Sequence, residues 1–165
     1  MNVSELMTVP VKSCSIDETL QRAAQIMWDG DCGAVPVVDG DGRVLGIITD
    51  RDVCMAAYTQ GRPLWQIPIT TAMAKQVYGV REDDQLDAAE VLMRAVRVRR
   101  VPVLDGDGRL KGILSLNDLA RHRSTGRKAN GLSGDSIAQT LAAISEPGPV
   151  MSTDQAPISA YPSPV

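Results

Sequence analysis

Apolar positions along this chain fall into helical stripes and short strand-like runs, and the same order of runs occurs twice. In the first pass, Leu20, Ala23, Ala24 and Met27 recur at helical spacing, the mark of one buried helix face. Ala34–Val38 and Val44–Ile48 are short apolar runs of strand type. Asp39-Gly40-Asp41-Gly42 between them is turn chemistry, because Asp and Gly tolerate positive φ. Thr49 opens a second helix to about Gln60, and Gly61 fits its stop. Ahead of these, Val9-Pro10-Val11 reads as extended, and Ser15 with Glu18 has the capping-box spacing of a helix start. In the second pass Val77 is extended, and Leu86, Ala89 and Met93 form the helical face. Val101–Leu104 and Leu110–Leu114 are the strands, and Ser115 opens a closing helix to about Arg123.

The recurrence is literal. Residues 34–52 read AVPVVDGDGRVLGIITDRD and residues 100–118 read RVPVLDGDGRLKGILSLND, 66 positions on. The alignment runs back without a gap to Met7 and Met73. Such a repeat fixes the architecture before any single motif does. Each copy is short for a stable core of its own, so the two are expected to fold as one pseudo-symmetric unit. The expected fold class is α/β, two β-α-β-β-α repeats over residues 5–61 and 73–125. Residues 62–72, with Pro63 and Pro68, form the connection, and 126–165 an extension. In that extension Asp135 is expected to cap a helix of about 135–145 carrying Ile137, Leu141 and Ile144. From Glu146 onward the chain is Pro-rich and unsuited to regular structure by itself.

Composition narrows the function classes. The 165 residues suit one domain, and a 44% hydrophobic content without Phe implies an aliphatic core. A net charge of −3 opposes general nucleic-acid binding. An aromatic content of 3% opposes base-stacking platforms. Cys14, Cys32 and Cys54 make an odd count without C-x-x-C, and no signal-peptide pattern opens the chain. Reduced thiols in a cytoplasmic protein are the simplest expectation. No apolar run approaches the roughly 20 residues of a membrane helix.

The candidate chemistry lies at the helix starts. Thr49 with Asp52, and Ser115 with Asp118, have the spacing of a capping box. The same groups suit a ligand: a helix N-terminus favours phosphate, the hydroxyl can donate to it, and the carboxylate can accept a ribose diol. Arg94, Arg97, Arg99 and Arg100 form a positive patch. It reads either as a solvated helix end or, for Arg99 and Arg100, as a phosphate clamp. The matching stretch Asp31-Cys32-Gly33-Ala34 holds no cation. D-G-D-G-R is not a calcium loop, since Arg43 and Arg109 stand where ligands are needed. His122, between two arginines, is expected at the surface, and Trp28 and Trp65 in packing or subunit contacts. No nucleophile signature surrounds a cysteine, so no reaction is implied.

V-P-V at 35–37 and 101–103, G-x-x-[ST]-x-x-D at Gly46/Thr49/Asp52 and Gly112/Ser115/Asp118, and the order of elements resemble the cystathionine-beta-synthase (CBS) domain. Two in tandem resemble a Bateman module. The resemblance implies that backbone just before each Pro meets an adenine edge, with Asp on ribose and Thr or Ser on phosphate. It also implies crossed sites. Site A would join Thr49, Arg51 and Asp52 to Val77, Arg99, Arg100, Val101 and Pro102. Site B would join Ser115 and Asp118 to Val11, Ala34, Val35 and Pro36. With its arginines, site A is expected to hold a polyphosphate nucleotide, with or without magnesium, more tightly than site B. The implied role is a stand-alone regulator that binds ATP, ADP or AMP, needs no cofactor, catalyses nothing, and signals to an unidentified target through homodimer geometry. Two further readings stay open: a ligand-free dimerisation scaffold, and a sensor of S-adenosylmethionine, NAD or a cyclic dinucleotide.

Overall fold

A computed structural model describes residues 1–124 and 133–146. The first half runs β1 (Cys14–Ser15), α1 (Leu20–Asp29), β2 (Ala34–Val38), β3 (Val44–Thr49) and α2 (Asp50–Gln60). The second runs β4 (Val80–Arg81), α3 (Leu86–Val96), β5 (Arg100–Leu104), β6 (Leu110–Ser115) and α4 (Leu116–Ser124), followed by α5 (Gly134–Ser145). Each half is a three-stranded sheet, β1-β2-β3 or β4-β5-β6, with the first pair parallel and the second antiparallel. The α/β class and the paired repeats are as the sequence predicts, and α5 adds to them.

The buried positions follow the periodicity. Leu20, Ala23, Ile26 and Met27 of α1 pack on Val35, Val37 and Ile48, and Leu86, Ala89 and Met93 of α3 on Val101, Val103 and Leu114. Both cores also take a residue from outside their own β-α-β-β-α unit. Val3, ahead of the first repeat, lies fully buried in the second core, and Ile69, ahead of the second repeat, in the first. These residues are 66 positions apart, so the exchange obeys the repeat. Backbone follows side chains: Thr8 bridges to Ile113 and Ala74 to Ile47, each antiparallel. Residues 62–72 contain two 3-10 turns, Leu64–Gln66 and Ile69–Thr71, and bury Ile67 in the first core.

The exchange explains the glycine of G-x-x-[ST]-x-x-D. A β-carbon on Gly46 would lie 2.7 Å from the Met73 sulfur and 2.9 Å from the Ala74 carbonyl oxygen. One on Gly112 would lie 2.6 Å from the Met7 sulfur and 3.2 Å from the Thr8 carbonyl oxygen. The D-G-D-G-R turns join the halves at the other end. Asp39 and Asp105 each accept two backbone N–H bonds at 2.9 Å, from Asp41 and Arg43 and from Asp107 and Arg109. The Arg109 N–H, the largest influence on it, holds the Asp105 carboxyl below its ordinary range. The two turns then bond each other: Val44 N–H to the Gly108 carbonyl, and Leu110 N–H to that of Gly42.

Several local expectations are corrected. The first strands form at Cys14–Ser15 and Val80–Arg81, rather than at Val9–Val11 and Val77, where parallel partners Val37 and Val103 are within reach. Ser15 does not cap α1: its N–H bonds Glu18 in a turn before the helix, and Thr19 holds the cap position. Ser133, not Asp135, caps α5, with a hydroxyl accepting from the Ser136 N–H at 2.9 Å. His122 is buried, on a helix that α5 packs against. Trp28 and Trp65 are 87% and 60% exposed, so neither is a core residue. The Pro-rich stretch from residue 147 lies outside the described residues.

Gly46→Ala is expected to destabilise the chain by about 1–3 kcal/mol, the scale of overpacking against backbone, measured by urea denaturation. An unchanged midpoint would mean the exchanged segment does not press on the strand. Burial pushes the Cys14 thiol up to about 11, with the Glu18 charge adding to it. Stability tied to its neutral form is full below pH 9.0 and falls as pH rises toward about 11. In thiol labelling at pH 8, exposed Cys54 should react in the native protein and Cys14 only after unfolding.

Candidate functional site

Exchanged leaders and repeated helix starts create two cavities between the halves, each edged by charged side chains. The first, about 320 Å³, corresponds to site A. The start of α2 supplies Thr49, Asp50, Arg51 and Asp52, and the α3–β5 junction supplies Arg97, Val98, Arg99 and Arg100. The second, about 410 Å³, corresponds to site B. Here the start of α4 gives Ser115, Asn117, Asp118 and Arg121, opposite Val11, Lys12, Ala34 and Pro36. Each cavity thus brings the helix start of one half against the segment ahead of the first strand of the other.

Some expected members are elsewhere. Val77 does not line cavity A; its neighbours Gln76 and Tyr78 do. Val101 and Pro102 are buried in β5, paired with Leu114 and Ile113, and Val35 is fully buried in β2. Val35 and Val101 belong to the two cores, whereas Pro102 alternates with the core residues Val101 and Val103 and so lies on the other face of β5. Arg100, expected at site A alone, lines both cavities, and so does Ala34, expected at site B alone. They occupy the same position in the two copies, at the boundary between the cavities.

The helix starts are built alike. Asp52 Oδ2 accepts the Thr49 N–H at 2.9 Å and the Thr49 hydroxyl at 2.6 Å, and the Asp52 N–H returns a bond to Thr49 Oγ1 at 3.2 Å. Asp118 Oδ2 accepts the Ser115 N–H at 2.9 Å and its hydroxyl at 2.5 Å, with the same return bond. These are closed capping boxes, so the structural role read from the sequence is fulfilled in both copies. Beyond the box the copies differ. Asp52 Oδ1 has no partner among the described residues, whereas Asp118 Oδ1 accepts from Arg121. The position of Arg121 in the first copy is held by Met55.

Charge and shape differ too. Arg51, Arg97, Arg99 and Arg100 line cavity A against Asp50 and Asp52. Arg97 is engaged by Glu146 at 2.6 Å, while the side chains of Arg51, Arg99 and Arg100 make no ion pair among the described residues. Cavity B is not free of cations, as residues 31–34 alone suggested: Lys12, Arg100 and Arg121 line it, beside Asp31 and Asp118. Lys12 and Tyr78 are equivalent positions. A phenol ring, 38% exposed, thus faces cavity A where an ammonium faces cavity B. Sequence reasoning missed Tyr78, Lys12 and Arg121; comparing the copies residue by residue at the 66-position offset exposes all three.

A pair of β-α-β-β-α units with two cavities between them defines the class. The family model described as the CBS domain matches residues 3–58 and 69–125, and the chain belongs to that family as a tandem pair, a Bateman module. It is 33% identical over 144 residues to the CBS domain-containing protein YhcV of Bacillus subtilis, covering 87% of this chain and 95% of YhcV. Among solved structures it resembles the CBS domain protein PAE2072 of Pyrobaculum aerophilum complexed with AMP, at 25% identity and a TM-score of 0.67 over 75% of this chain and 94% of that one. It also resembles the CBS domain pair of protein MJ0100 in complex with 5-methylthioadenosine and S-adenosyl-L-methionine, at 26% identity and a TM-score of 0.67 over 74% of this chain and 99% of that one. Among the described residues no helix is long and apolar enough to cross a membrane.

Proposed function

We propose that this chain is a non-catalytic regulator that binds an adenine nucleotide (ATP, ADP or AMP) at site A and passes the occupancy on through homodimer geometry. The observation that carries the reading is the composition of cavity A. Among the described residues, a carboxylate with one oxygen open stands at a helix start, opposite Arg99 and Arg100 without an ion pair and a partly exposed tyrosine ring. Asp52 accepts the ribose hydroxyls, Arg51, Arg99 and Arg100 meet phosphate, and Tyr78 offers a face to the base. Thr49 and the N–H groups of α2 favour the same negative charge. Magnesium, where a polyphosphate carries it, enters with the ligand. The AMP complex of the PAE2072 protein supports this ligand class. The MJ0100 complex makes S-adenosylmethionine the second ligand to try.

The homodimer is supported by an unequal surface. Trp28 on α1 and Met55 and Tyr58 on α2 are exposed. In the second half α5 packs against α3 and α4, and Arg94, the counterpart of Trp28, bonds its Gln139. The buried Thr140 hydroxyl fixes α5 further, donating to Glu90 at 2.6 Å. Among the described residues, α5 covers the helix face of the second repeat, and no helix covers that of the first in the same way. Exposed large apolar residues of this kind suit a protein interface.

Thermal melting against ATP, ADP, AMP and S-adenosylmethionine tests the ligand. A ligand at 100 times its Kd adds about 2.7 kcal/mol. Asp52→Ala should abolish the tighter binding and Asp118→Ala spare it; no shift with any ligand at millimolar concentration would leave the capping boxes as the whole function of these residues. Trp28→Glu should convert a dimer to a monomer in analytical ultracentrifugation. A dimer that survives it does not use this face.

A further inference from the structure

We propose that Arg121 sets the specificity of site B, as a latch on Asp118 that a phosphate-bearing ligand lifts and a nucleoside does not. The inference rests on the adenosyl reading of the two sites. It starts from a difference between equal positions. Asp118 is 7% exposed, and both its oxygens are engaged: Oδ2 by the Ser115 N–H and hydroxyl, Oδ1 by the Arg121 guanidinium. Asp52 has the same two bonds on Oδ2, but the residue one turn further on is Met55, which has no N–H or O–H in its side chain.

A ribose diol donating to Asp118 must therefore displace a charge-assisted hydrogen bond, the stronger kind. At Asp52 it meets an open oxygen. The Arg121 side chain is 76% exposed and lines cavity B near Lys12 and Arg100. On its long stem the guanidinium can exchange the carboxylate for a phosphate, whose oxygens it can hold two at a time. A nucleotide brings both halves of that exchange at once: hydroxyls for Asp118 and an anion for Arg121. A nucleoside brings only the first and offers nothing in exchange for the Asp118 bond that Arg121 gives up. Site B is thus built to require the phosphate before it admits the sugar. At site A separate groups serve sugar and phosphate, and either can bind alone.

The test uses the full chain with Asp52→Ala to silence site A, and calorimetric titration with adenosine and AMP. Adding Arg121→Met, which installs the first copy's residue, should tighten adenosine by roughly tenfold or more, the scale of one hydrogen bond to a charged group. AMP should gain nothing or weaken, so the preference for AMP over adenosine collapses. Arg121→Lys, which keeps the charge, should retain that preference. Conversely, Met55→Arg in an Asp118→Ala background should weaken adenosine at site A by a similar factor. Unchanged adenosine affinity in Arg121→Met, including none before and none after, overturns the latch. So does an Arg121→Lys protein that behaves like Arg121→Met. AMP binding by the unsubstituted protein reports separately on the adenine-nucleotide reading, and the melting temperature of each variant confirms that it folds.

Discussion

The structure depends on an exchange. Each repeat sends the segment ahead of its first strand onto the other repeat's hairpin, burying Val3 in one core and Ile69 in the other. Met7 and Met73 then press on Gly112 and Gly46, where a side chain would collide. Neither repeat can complete its core alone, which is the physical content of one unit built from two short copies. The same contact sets the sites. Thr8 and Ala74 bridge to Ile113 and Ile47, two residues before Ser115 and Thr49. The exchanged segment therefore passes directly beside the opposite helix start, and delivers Lys12 to cavity B and Tyr78 to cavity A. Crossed cavities are a consequence of crossed cores.

Much of this was legible in the chain, for identifiable reasons. Helix faces and hairpins follow from periodicity and from D-G-D-G turns, which are local. Thr49-Asp52 and Ser115-Asp118 close their boxes within one helical turn, so spacing alone predicts the bonds. The failures are non-local. Ser15 and Glu18 obey the capping spacing, yet Leu20 N–H bonds the Ile67 carbonyl across the core, and the helix begins there. His122 reads as exposed because its neighbours are arginines, but its burial is decided with α5 packed against its helix. The side chain of Val101 is taken by the second core, a burial that the motif does not show. D-G-D-G-R was legible as a turn, but not as a joint between the halves, because nothing in one copy shows that its turn will pair with the other.

The departures from symmetry then carry more meaning than the symmetry. Duplicate sequences at fixed spacing hold the backbone in register, so a changed residue alters a cavity wall and little else. Arg99 and Arg100 against Gly33 and Ala34, Tyr78 against Lys12, and Met55 against Arg121 are substitutions of this sort. Together they leave cavity A with an open carboxylate oxygen, unpaired cations and a ring, and cavity B with a carboxylate already neutralised. Trp28 against Arg94, and Ala24 against Glu90, do the same on the outer surface. In the second copy those polar residues hold α5; in the first their apolar counterparts face outward or lie half-buried.

A link between the cavities follows from the position that is shared. Arg100 stands at the start of β5, paired with Ser115 and lining both cavities. Were phosphates to occupy both cavities, a guanidinium drawn to one would be withdrawn from the other, and the two anions would compete for one charge without touching. Coupling of this kind is reciprocal by thermodynamic necessity: whatever factor site A imposes on site B, site B returns. Because Ala34 is the counterpart of Arg100, the chain holds one such shared cation rather than two, and the pair is biased toward the cavity where Arg99 stands beside it.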